Sequence, residues 1–224
     1  MNAEELTGRV RTHLVDLPQF DCALHAHALE PFSNLRRAAL LDGIDIAPVS
    51  AFRDFARQLR LWNDKYRGER ALYGAAGEPL DARALAPAER VDAILRWTAI
   101  PGSSRHHWGT DVDLIDRGRV GAADSVSLMP AEYAPGGPFA GLCAWLERHA
   151  PRYGFFRPYR GVHSGVQAEP WHYSFAPVAE PARRALGLGT LRQALADAPL
   201  LGKECVLARL EELHSRFVAR IDLM

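Results

Sequence analysis

Residues 104–113 read SRHHWGTDVD, and this stretch decides which fold and which chemistry the sequence predicts. It places two adjacent histidines, a glycine and two aspartates within ten residues. A turn at Gly109 would fold His106 back onto the strand that follows, on which Asp111 and Asp113 share one face. His106 and one of the two aspartates are therefore candidate metal ligands, and the spacing alone does not choose between the aspartates.

A second stretch, EPWHYS at residues 169–174, supplies the rest of a catalytic set. Catalytic zinc uses three protein ligands and leaves a fourth position for water, so a nearby base is also needed. His172 is a candidate third ligand, and Glu169 is close enough along the chain to take a proton from the water. Because Pro170 disfavours a helical Glu169, the two side chains meet only if the strand bends or begins irregularly.

The bulk composition is that of an ordinary globular protein. The chain has 224 residues, 48% hydrophobic and 24% charged, with 27 basic and 27 acidic residues. A net charge of zero argues against nucleic acid or an anionic membrane as partner, and no run of eighteen apolar residues predicts a membrane span. The N-terminus lacks a secretory signal pattern, which predicts a cytoplasmic protein, or a periplasmic or cell-wall one if a leader was removed. The oligomeric state is not predicted.

Three cysteines, Cys22, Cys143 and Cys205, are widely separated and show no CxxC spacing. They are expected to be buried free thiols and neither a disulfide framework nor a thiolate metal site.

Periodicity and breakers predict alternating helices and strands. Helices are expected at residues 3–15, 31–42, 54–66, 87–97 and 139–150, strands at 44–52, 112–116, 153–159 and 170–175, a turn at 116–124 and a surface loop at 127–138. The chain from about residue 181 is predicted to be helical, with an apolar series at Val206, Leu210, Leu213 and Phe217. Because the elements lack a strict βαβ rhythm, they favour an α+β fold over a doubly wound sheet.

The two polar stretches resemble the S-x-H-x-x-G-x-x-x-D and E-x-W-H signatures of the VanY-type D-alanyl-D-alanine carboxypeptidases. These belong to the LAS group, with lysostaphin-like peptidases and the hedgehog signalling domain. VSAFRDFARQ at residues 49–58 is similar to the family's S-G-Y-R-S-x-x-x-Q element, and AWLERHAPRYGFFRPY at residues 144–159 to its W-L-x-x-x-A-x-x-Y-G-F-x-x-x-Y segment. The likeness runs from about residue 49 to residue 175 in the family's order.

The resemblance implies a hedgehog/DD-peptidase-like fold, in which helices flank a small central antiparallel sheet. It implies a zinc metallopeptidase domain at residues 1–180. Residues 181–224 fall outside the resemblance and are expected to be a C-terminal helical extension packed on the same domain.

Carried over residue by residue, the resemblance implies one Zn²⁺ ion bound by His106, Asp113 and His172, with Glu169 as the general base. It selects Asp113 over Asp111, because the family usually has a small residue where this chain has Asp111.

The resemblance also implies the residues that contact substrate. Arg53 matches the family arginine that steadies the substrate carboxylate or the developing oxyanion, a task that suits its planar fork of donors. Gln58 and Ser104 match polar groups that line the substrate site.

The activity implied is that of a zinc carboxypeptidase of the D,D or L,D type. Such an enzyme hydrolyses the terminal bond of D-alanine-ending peptidoglycan peptides through a zinc-bound water, so the expected partner is a small peptide or muropeptide. The alternatives are a peptidoglycan endopeptidase and a binding module that keeps its zinc without catalysis. Arg53 favours the exopeptidase because a terminal carboxylate would give it a partner, and Glu169 argues against a purely structural site.

Two departures from the family pattern, together with His107, leave roles open. Asp111 adds a carboxylate that either holds a histidine ligand or binds substrate. His107 is expected to be a wall residue or a donor beside the ligands. Ala51 and Phe52 replace the family's glycine and tyrosine, which removes one hydroxyl from the site.

Overall fold

The computed structural model describes residues 1–121 and 126–222. Its strands are β1 Leu14–Leu17, β2 Cys22–His25, β3 Ile46–Ser50, β4 Leu72–Tyr73, β5 Pro79–Leu80, β6 Asp111–Asp116, β7 Phe155–Phe156 and β8 His172–Phe175. Its α-helices are α1 Ala3–Leu6, α2 Ala26–Leu41, α3 Phe55–Arg67, α4 Pro87–Leu95, α5 Pro130–Tyr133, α6 Ala140–His149, α7 Ala176–Ala185, α8 Leu188–Ala196, α9 Lys203–Ala208 and α10 Leu210–Leu213. This mixture confirms the predicted α+β class.

A four-stranded antiparallel sheet forms the centre, in the order β3-β6-β8-β7. Two further two-stranded antiparallel sheets pair β1 with β2 and β4 with β5. Every residue of β6 is buried, as expected for a strand covered on both faces. The register between β6 and β8 places Asp113 opposite His172 and Asp111 opposite Ser174. Those four side chains therefore share one face of the sheet.

Two apolar clusters flank the sheet. In the first, α2 and α6 pack on the central strands through residues such as Phe32, Leu114 and Trp145. In the second, α3 and α4 pack against the C-terminal helices, with Trp62 and Ile94 in contact with the buried face of the tail. The predicted apolar series Val206, Leu210, Leu213 and Phe217 is buried in this second cluster. The division into a domain at 1–180 and an extension at 181–224 stays a prediction.

Helix α3 follows its local sequence closely. The side chain of Asp54 accepts a 2.6 Å hydrogen bond from Arg57 N, which caps the helix, and Gly68 ends it with a left-handed φ of 75°. This agrees with the predicted helix at 54–66. Helices α2, α4 and α6 confirm three further predictions, although α2 begins five residues before the predicted start.

The prediction of a helix at residues 3–15 is wrong. Helix α1 ends at Leu6, and residues 14–17 instead form strand β1, which pairs with β2. Gly8 adopts a φ of 73°, and a Cβ there would lie 2.4 Å from His107 Nδ1. Contact with a distant histidine and pairing with a second strand therefore override the local helical pattern.

Two other local predictions need correction. Part of the predicted loop at 127–138 is the one-turn helix α5, whose Tyr133 is buried and donates a 2.8 Å hydrogen bond to Leu114 O. The strand predicted at 153–159 is only Phe155–Phe156, because Gly154 has a φ of 77° before it and Pro158 follows. The turn predicted at 116–124 extends beyond the described residues at 122–124.

The three cysteines are free, as predicted, but only partly buried. Within residues 1–121 and 126–222, no helix has both the length and the apolar composition needed to cross a bilayer.

Candidate active site

The turn expected between His106 and the following strand is present. Residues 105–108 form one turn of 3₁₀ helix, and Gly109 ends it with a φ of 65°. A Cβ on Gly109 would lie 2.4 Å from Leu14 Cδ2 and 2.8 Å from His25 N, so only glycine fits between the turn and the β1–β2 hairpin. This turn brings the His106 imidazole over the start of β6.

The three candidate ligands converge on one point. His106 Nε2 lies 3.5 Å from Asp113 Oδ2, and His172 Nδ1 lies 3.3 Å from Asp113 Oδ1. One donor atom from each of the three residues lies within 4.8 Å of the other two, and all three residues are buried. Donors this close can share one metal ion.

Both imidazoles present a defined nitrogen to this point. His106 Nδ1 donates to Ala51 O at 2.7 Å, which leaves the Nε2 lone pair for a ligand. His172 shows the opposite arrangement: Nε2 donates to Asp111 Oδ2 at 2.8 Å, and Nδ1 faces the centre. The backbone and a carboxylate thereby select the two tautomers.

The donor set fits zinc. Among the residues that the structure describes, His106 Nε2 and Asp113 Oδ1 are buried and have no hydrogen-bond partner, an arrangement that is rare for buried polar atoms. A bound cation would satisfy both atoms. Two imidazole nitrogens and one carboxylate are typical ligands of catalytic zinc and leave a further position open.

Asp111, whose role the sequence left open, lies in a buried network behind His172. In addition to the His172 imidazole, it accepts hydrogen bonds from Arg105 Nε at 2.8 Å, Thr110 Oγ1 at 2.7 Å and Ser174 Oγ at 2.8 Å. Burial alone would raise the pKa of Asp111, but the Arg105 guanidinium and the hydrogen bond from His172 hold this pKa well below its usual range. Asp111 is therefore an ionised carboxylate that holds the imidazole of His172, a candidate metal ligand.

Glu169 lies at the edge of the candidate metal centre. The turn at residues 169–172, closed by a hydrogen bond from His172 N to Glu169 O, is the irregular strand start that the sequence required. Glu169 Oε2 lies 3.1 Å from His172 Nδ1. Burial raises the pKa of Glu169, as it does for a carboxylate suited to accept and return a proton near neutral pH.

A cleft of about 280 Å³ opens over these residues. The cleft is lined by the four residues of the candidate catalytic set, His106, Asp113, Glu169 and His172, and by Arg53 and Ser104. The Arg53 side chain is near two carboxylates: burial lowers the pKa of Arg53, and Asp113 and Glu169 raise it.

Gln58 does not line this cleft. Its side chain is fully buried, and its Nε2 donates to Ala99 O at 2.8 Å, so it ties α3 to the segment that leads to Ser104. Its role in substrate binding stays a prediction.

His107 has both ring nitrogens occupied by backbone groups. Its Nδ1 donates to Arg53 O at 2.6 Å, and its Nε2 accepts a hydrogen bond from Gly102 N at 3.1 Å. Burial lowers the pKa of His107 to about 3, so the ring is neutral. His107 therefore braces the backbone of Arg53 and does not face the candidate metal centre.

Four residues at the site were not singled out in the sequence. Lys65, Trp97 and Tyr159 line the cleft, and Arg105 lines it and pairs with Asp111. Tyr159 ends the segment at 144–159 that resembles the family, and its ring centroid lies 5.1 Å from that of His172. For Lys65 and Trp97 no local pattern marks a position on the cleft, because their approach depends on how α3 and the chain after α4 pack.

Comparison with known proteins shows the family to which the chain belongs. The family model for VanY, D-alanyl-D-alanine carboxypeptidase, matches residues 21–178. The chain belongs to the VanY family. A D-alanyl-D-alanine carboxypeptidase of Enterococcus faecalis is 29% identical over 180 residues, which cover 79% of this chain and 50% of that protein. An uncharacterized protein of Haemophilus influenzae is 36% identical over 121 residues, which cover 53% of this chain and 92% of that protein.

Solved structures of VanY proteins share the fold. VanYB in complex with D-alanine-D-alanine superposes with a TM-score of 0.56 at 21% identity, covering 84% of this chain and 91% of that one. A mutant of the vancomycin resistance D,D-pentapeptidase VanY in complex with Zn(II) gives a TM-score of 0.55 at 22% identity, covering 83% and 90%. These likenesses confirm the predicted fold class, a DD-peptidase-like sheet with flanking helices.

Proposed function

We propose that this VanY-family protein is a zinc-dependent carboxypeptidase that removes the C-terminal residue from D-alanine-ending peptidoglycan peptides. The observation that carries the proposal is the convergence of His106 Nε2, Asp113 and His172 Nδ1 beside the buried carboxylate of Glu169. Its relatives support the substrate class, since VanYB was solved in complex with D-alanine-D-alanine.

In this proposal His106, Asp113 and His172 hold one zinc ion. An ion held by these residues would supply a Lewis acid for the scissile carbonyl and for the attacking water. Asp111 keeps the His172 imidazole in the tautomer that offers Nδ1, and the carbonyl of Ala51 does the same for His106 Nε2.

Glu169 moves the proton. Its carboxylate accepts a proton from the attacking water and returns it to the nitrogen of the leaving amino acid, so the peptide bond breaks without net change in the base. Its place within 3.1 Å of a ligand nitrogen puts it beside the reacting atoms.

Arg53 binds the terminal carboxylate of the peptide. A guanidinium offers a carboxylate two parallel hydrogen bonds, and within the described part of the chain Arg53 Nε is buried without a hydrogen-bond partner. This favours an exopeptidase, because a chain that continues past the cleaved bond presents no carboxylate at that point.

The test is release of free D-alanine from peptides that end in D-Ala-D-Ala and in a single D-Ala. Wild type loaded with zinc is compared with Glu169→Gln and with Glu204→Gln, an exposed carboxylate on α9 that serves as the matched control. We expect Glu169→Gln to lose a factor on the order of 10² to 10⁴ in kcat while it keeps its zinc, and Glu204→Gln to remain active.

Mass spectrometry of the products separates the competing functions. Loss of one terminal residue supports the carboxypeptidase, whereas cuts within the peptide identify an endopeptidase. A zinc-loaded wild type that cleaves no peptide but binds one would establish a binding module in place of an enzyme.

A further inference from the structure

Helix α3 presents a lysine to the cleft at some distance from the candidate metal centre. Leu61 and Lys65 line the cleft one helical turn apart, and Lys65 Nζ donates to Thr98 Oγ1 at 2.7 Å. Arg70, just beyond the end of the helix, lines the same cleft. The Arg70 side chain is 58% exposed, and its Nε lies 3.9 Å from Asp64 Oδ2.

In the described part of the cleft, the positive charge of Lys65 is not paired with a carboxylate. Across residues 1–121 and 126–222, no salt bridge within 4.0 Å pairs Lys65 Nζ with a carboxylate, and its one hydrogen bond goes to the neutral hydroxyl of Thr98. An ammonium has three donors, which leaves two of them for other acceptors. Burial lowers the pKa of Lys65 to about 8, against the opposing effect of the Glu169 carboxylate. The side chain is therefore a partly desolvated cation at neutral pH.

The other charged groups of the cleft already have partners in the structure or roles in the proposed function. Arg105 pairs with Asp111, and Asp113 is a candidate zinc ligand. Arg53 is assigned to the terminal carboxylate of the peptide. Lys65 and Arg70 thus remain as two cations that face the cleft and that the cleavage reaction does not use.

We propose that Lys65, with Arg70 at the mouth of the cleft, forms a subsite for a second carboxylate on the acyl side of the cleaved bond. This inference rests on the proposed function and names its substrate class: peptides with an acidic group close to their C-terminal end. A glutamyl residue or a diamino dicarboxylic acid has that chemistry. A carboxylate would provide the ammonium with a charge-assisted hydrogen bond, the strong type in proteins.

The length of α3 indicates how far from the cleaved bond the second carboxylate of the substrate lies. Lys65 is ten residues beyond Phe55, a rise of roughly 15 Å along the axis, and Arg53 lies just before that end of the helix. An extended peptide advances about 3.3 Å per residue, and the two long side chains shorten the gap. The second carboxylate therefore belongs one to three residues before the leaving amino acid.

The lining around Lys65 suits such a side chain. Tyr73, Trp97 and Met129 line the same cleft and offer apolar surface. The ring of Trp97 stacks on Trp171 at a centroid distance of 6.5 Å, which gives that surface a fixed position. Apolar walls that lead to a cation fit a methylene chain that ends in a carboxylate.

The test uses two peptides that differ only in charge, acetyl-Glu-D-Ala-D-Ala and acetyl-Gln-D-Ala-D-Ala. The proteins are wild type, Lys65→Met, Lys65→Arg and the control Arg60→Met, which removes an exposed cation from the same helix. We expect wild type to favour the glutamyl peptide about tenfold in kcat/KM, the size of one modest charge-assisted hydrogen bond. Lys65→Met should abolish this preference chiefly through a lower kcat/KM for the glutamyl peptide, while Lys65→Arg and Arg60→Met retain it.

Two results would overturn the subsite without touching the proposed function. The first is equal kcat/KM of wild type for the two peptides. The second is a Lys65→Met variant that keeps the preference, including one that slows both peptides by the same factor, which indicates a structural role. Thermal melts of all variants identify any that fail to fold. If Lys65→Met does not fold, the pH dependence of the peptide preference in Lys65→Arg is compared with that of wild type.

If no protein releases D-alanine from either peptide, the proposed function fails. The Kd of each peptide for wild type then tests the carboxylate subsite independently of cleavage. Tighter binding of the glutamyl peptide that disappears in Lys65→Met supports it. Equal Kd values overturn it.

Discussion

Asp111 Oδ2 accepts the Nε2 hydrogen of His172 at 2.8 Å and lies 2.8 Å from Arg105 Nε, with all three side chains buried. The carboxylate is thus shared between a candidate zinc ligand and a buried cation. Such partners of metal-bound histidines fix the ring orientation and raise the basicity of the ligand nitrogen. In the proposed zinc enzyme, Asp111 connects the stability of the fold with the affinity for the metal.

Asp111→Asn is expected to weaken zinc binding by about 10- to 100-fold, because the charge that orients His172 is lost. It is also expected to lower the free energy of unfolding by roughly 3 kcal/mol, since Arg105 is left buried without a counter-ion. Competition with a chelator measures the affinity, and urea unfolding of the zinc-free protein measures the stability. In the double variant with Arg105→Met the stability loss should be smaller than in Asp111→Asn alone. Wild-type zinc affinity in Asp111→Asn would contradict the assigned role.

Gly109→Ala should destabilise the protein by roughly 2–5 kcal/mol, the sum of left-handed strain and a steric clash. Its φ is 65°, and the new methyl would overlap Leu14 and the backbone of His25. Gly43→Ala is the control, because its φ is 79° but no atom lies within 4 Å of the added Cβ. Thermal unfolding should show a larger loss for Gly109→Ala. Equal losses would mean that backbone strain alone sets the cost.

Asp222→Ala is expected to loosen the loop at residues 158–166. Asp222 is 3% exposed, and its carboxylate accepts hydrogen bonds from Arg160 N at 2.6 Å and His163 N at 2.8 Å. The same loop carries Tyr159, whose carbonyl accepts a 3.1 Å hydrogen bond from Glu169 N. We expect faster hydrogen exchange in the loop, a lower kcat and an unchanged zinc content.

The control for this variant is Asp197→Ala, which removes an exposed carboxylate at the end of α8. Unchanged exchange in the loop of Asp222→Ala, or a matching fall in kcat for Asp197→Ala, would refute a positioning role for Asp222.

The environment of His25 predicts that the folded protein loses stability in acid. Burial, with the nearby His13 and His27, lowers its pKa to about 4, against an opposing effect of Glu5. The unfolded chain, with an ordinary histidine pKa near 6.5, therefore takes up a proton between about pH 6.5 and 4 that the folded protein does not. Stability contributed by the neutral ring is present above about pH 6.5 and is lost as the pH falls towards 4.

Urea midpoints at pH 4.5, 5.5 and 6.5 measure this effect. His25→Asn keeps an N-terminal cap for α2, because the His25 ring accepts a hydrogen bond from His27 N and an asparagine oxygen can replace it. The variant should lose less stability than wild type on acidification, whereas His27→Asn, an exposed position, should behave like wild type. The same pH slope in His25→Asn and wild type would argue against this source.

The preference for acidic peptides should depend on pH through Lys65. With a pKa of about 8, the ammonium is charged below that value and loses its proton above it. The ratio of kcat/KM for the glutamyl and glutaminyl peptides should therefore be largest near pH 6–7 and fall towards one above about pH 9. In Lys65→Arg the ratio should persist to higher pH, because a guanidinium stays protonated. A flat ratio in wild type would exclude Lys65 as its source.

Much of the candidate site was predictable from local sequence. The turn at Gly109, the shared face of Asp111 and Asp113, and the irregular start of β8 after Pro170 all follow from backbone preferences within a few residues. The helices α3 and α6 follow from apolar periodicity in the same way. Where a local pattern met a distant partner it failed, as at residues 3–15, whose strand pairs with β2.

The sequence by itself determined the chemistry of the site: which histidines and carboxylates are available, and that two short stretches must carry them. Only the tertiary structure decided how they are used. The register of β6 and β8 puts Asp113 opposite His172, the network behind β8 makes Asp111 the partner of His172, and the packing of α3 brings Lys65 to the cleft. The reason is physical: turns and helices depend on neighbouring residues, whereas strand register and helix packing depend on burying apolar surface across the whole chain.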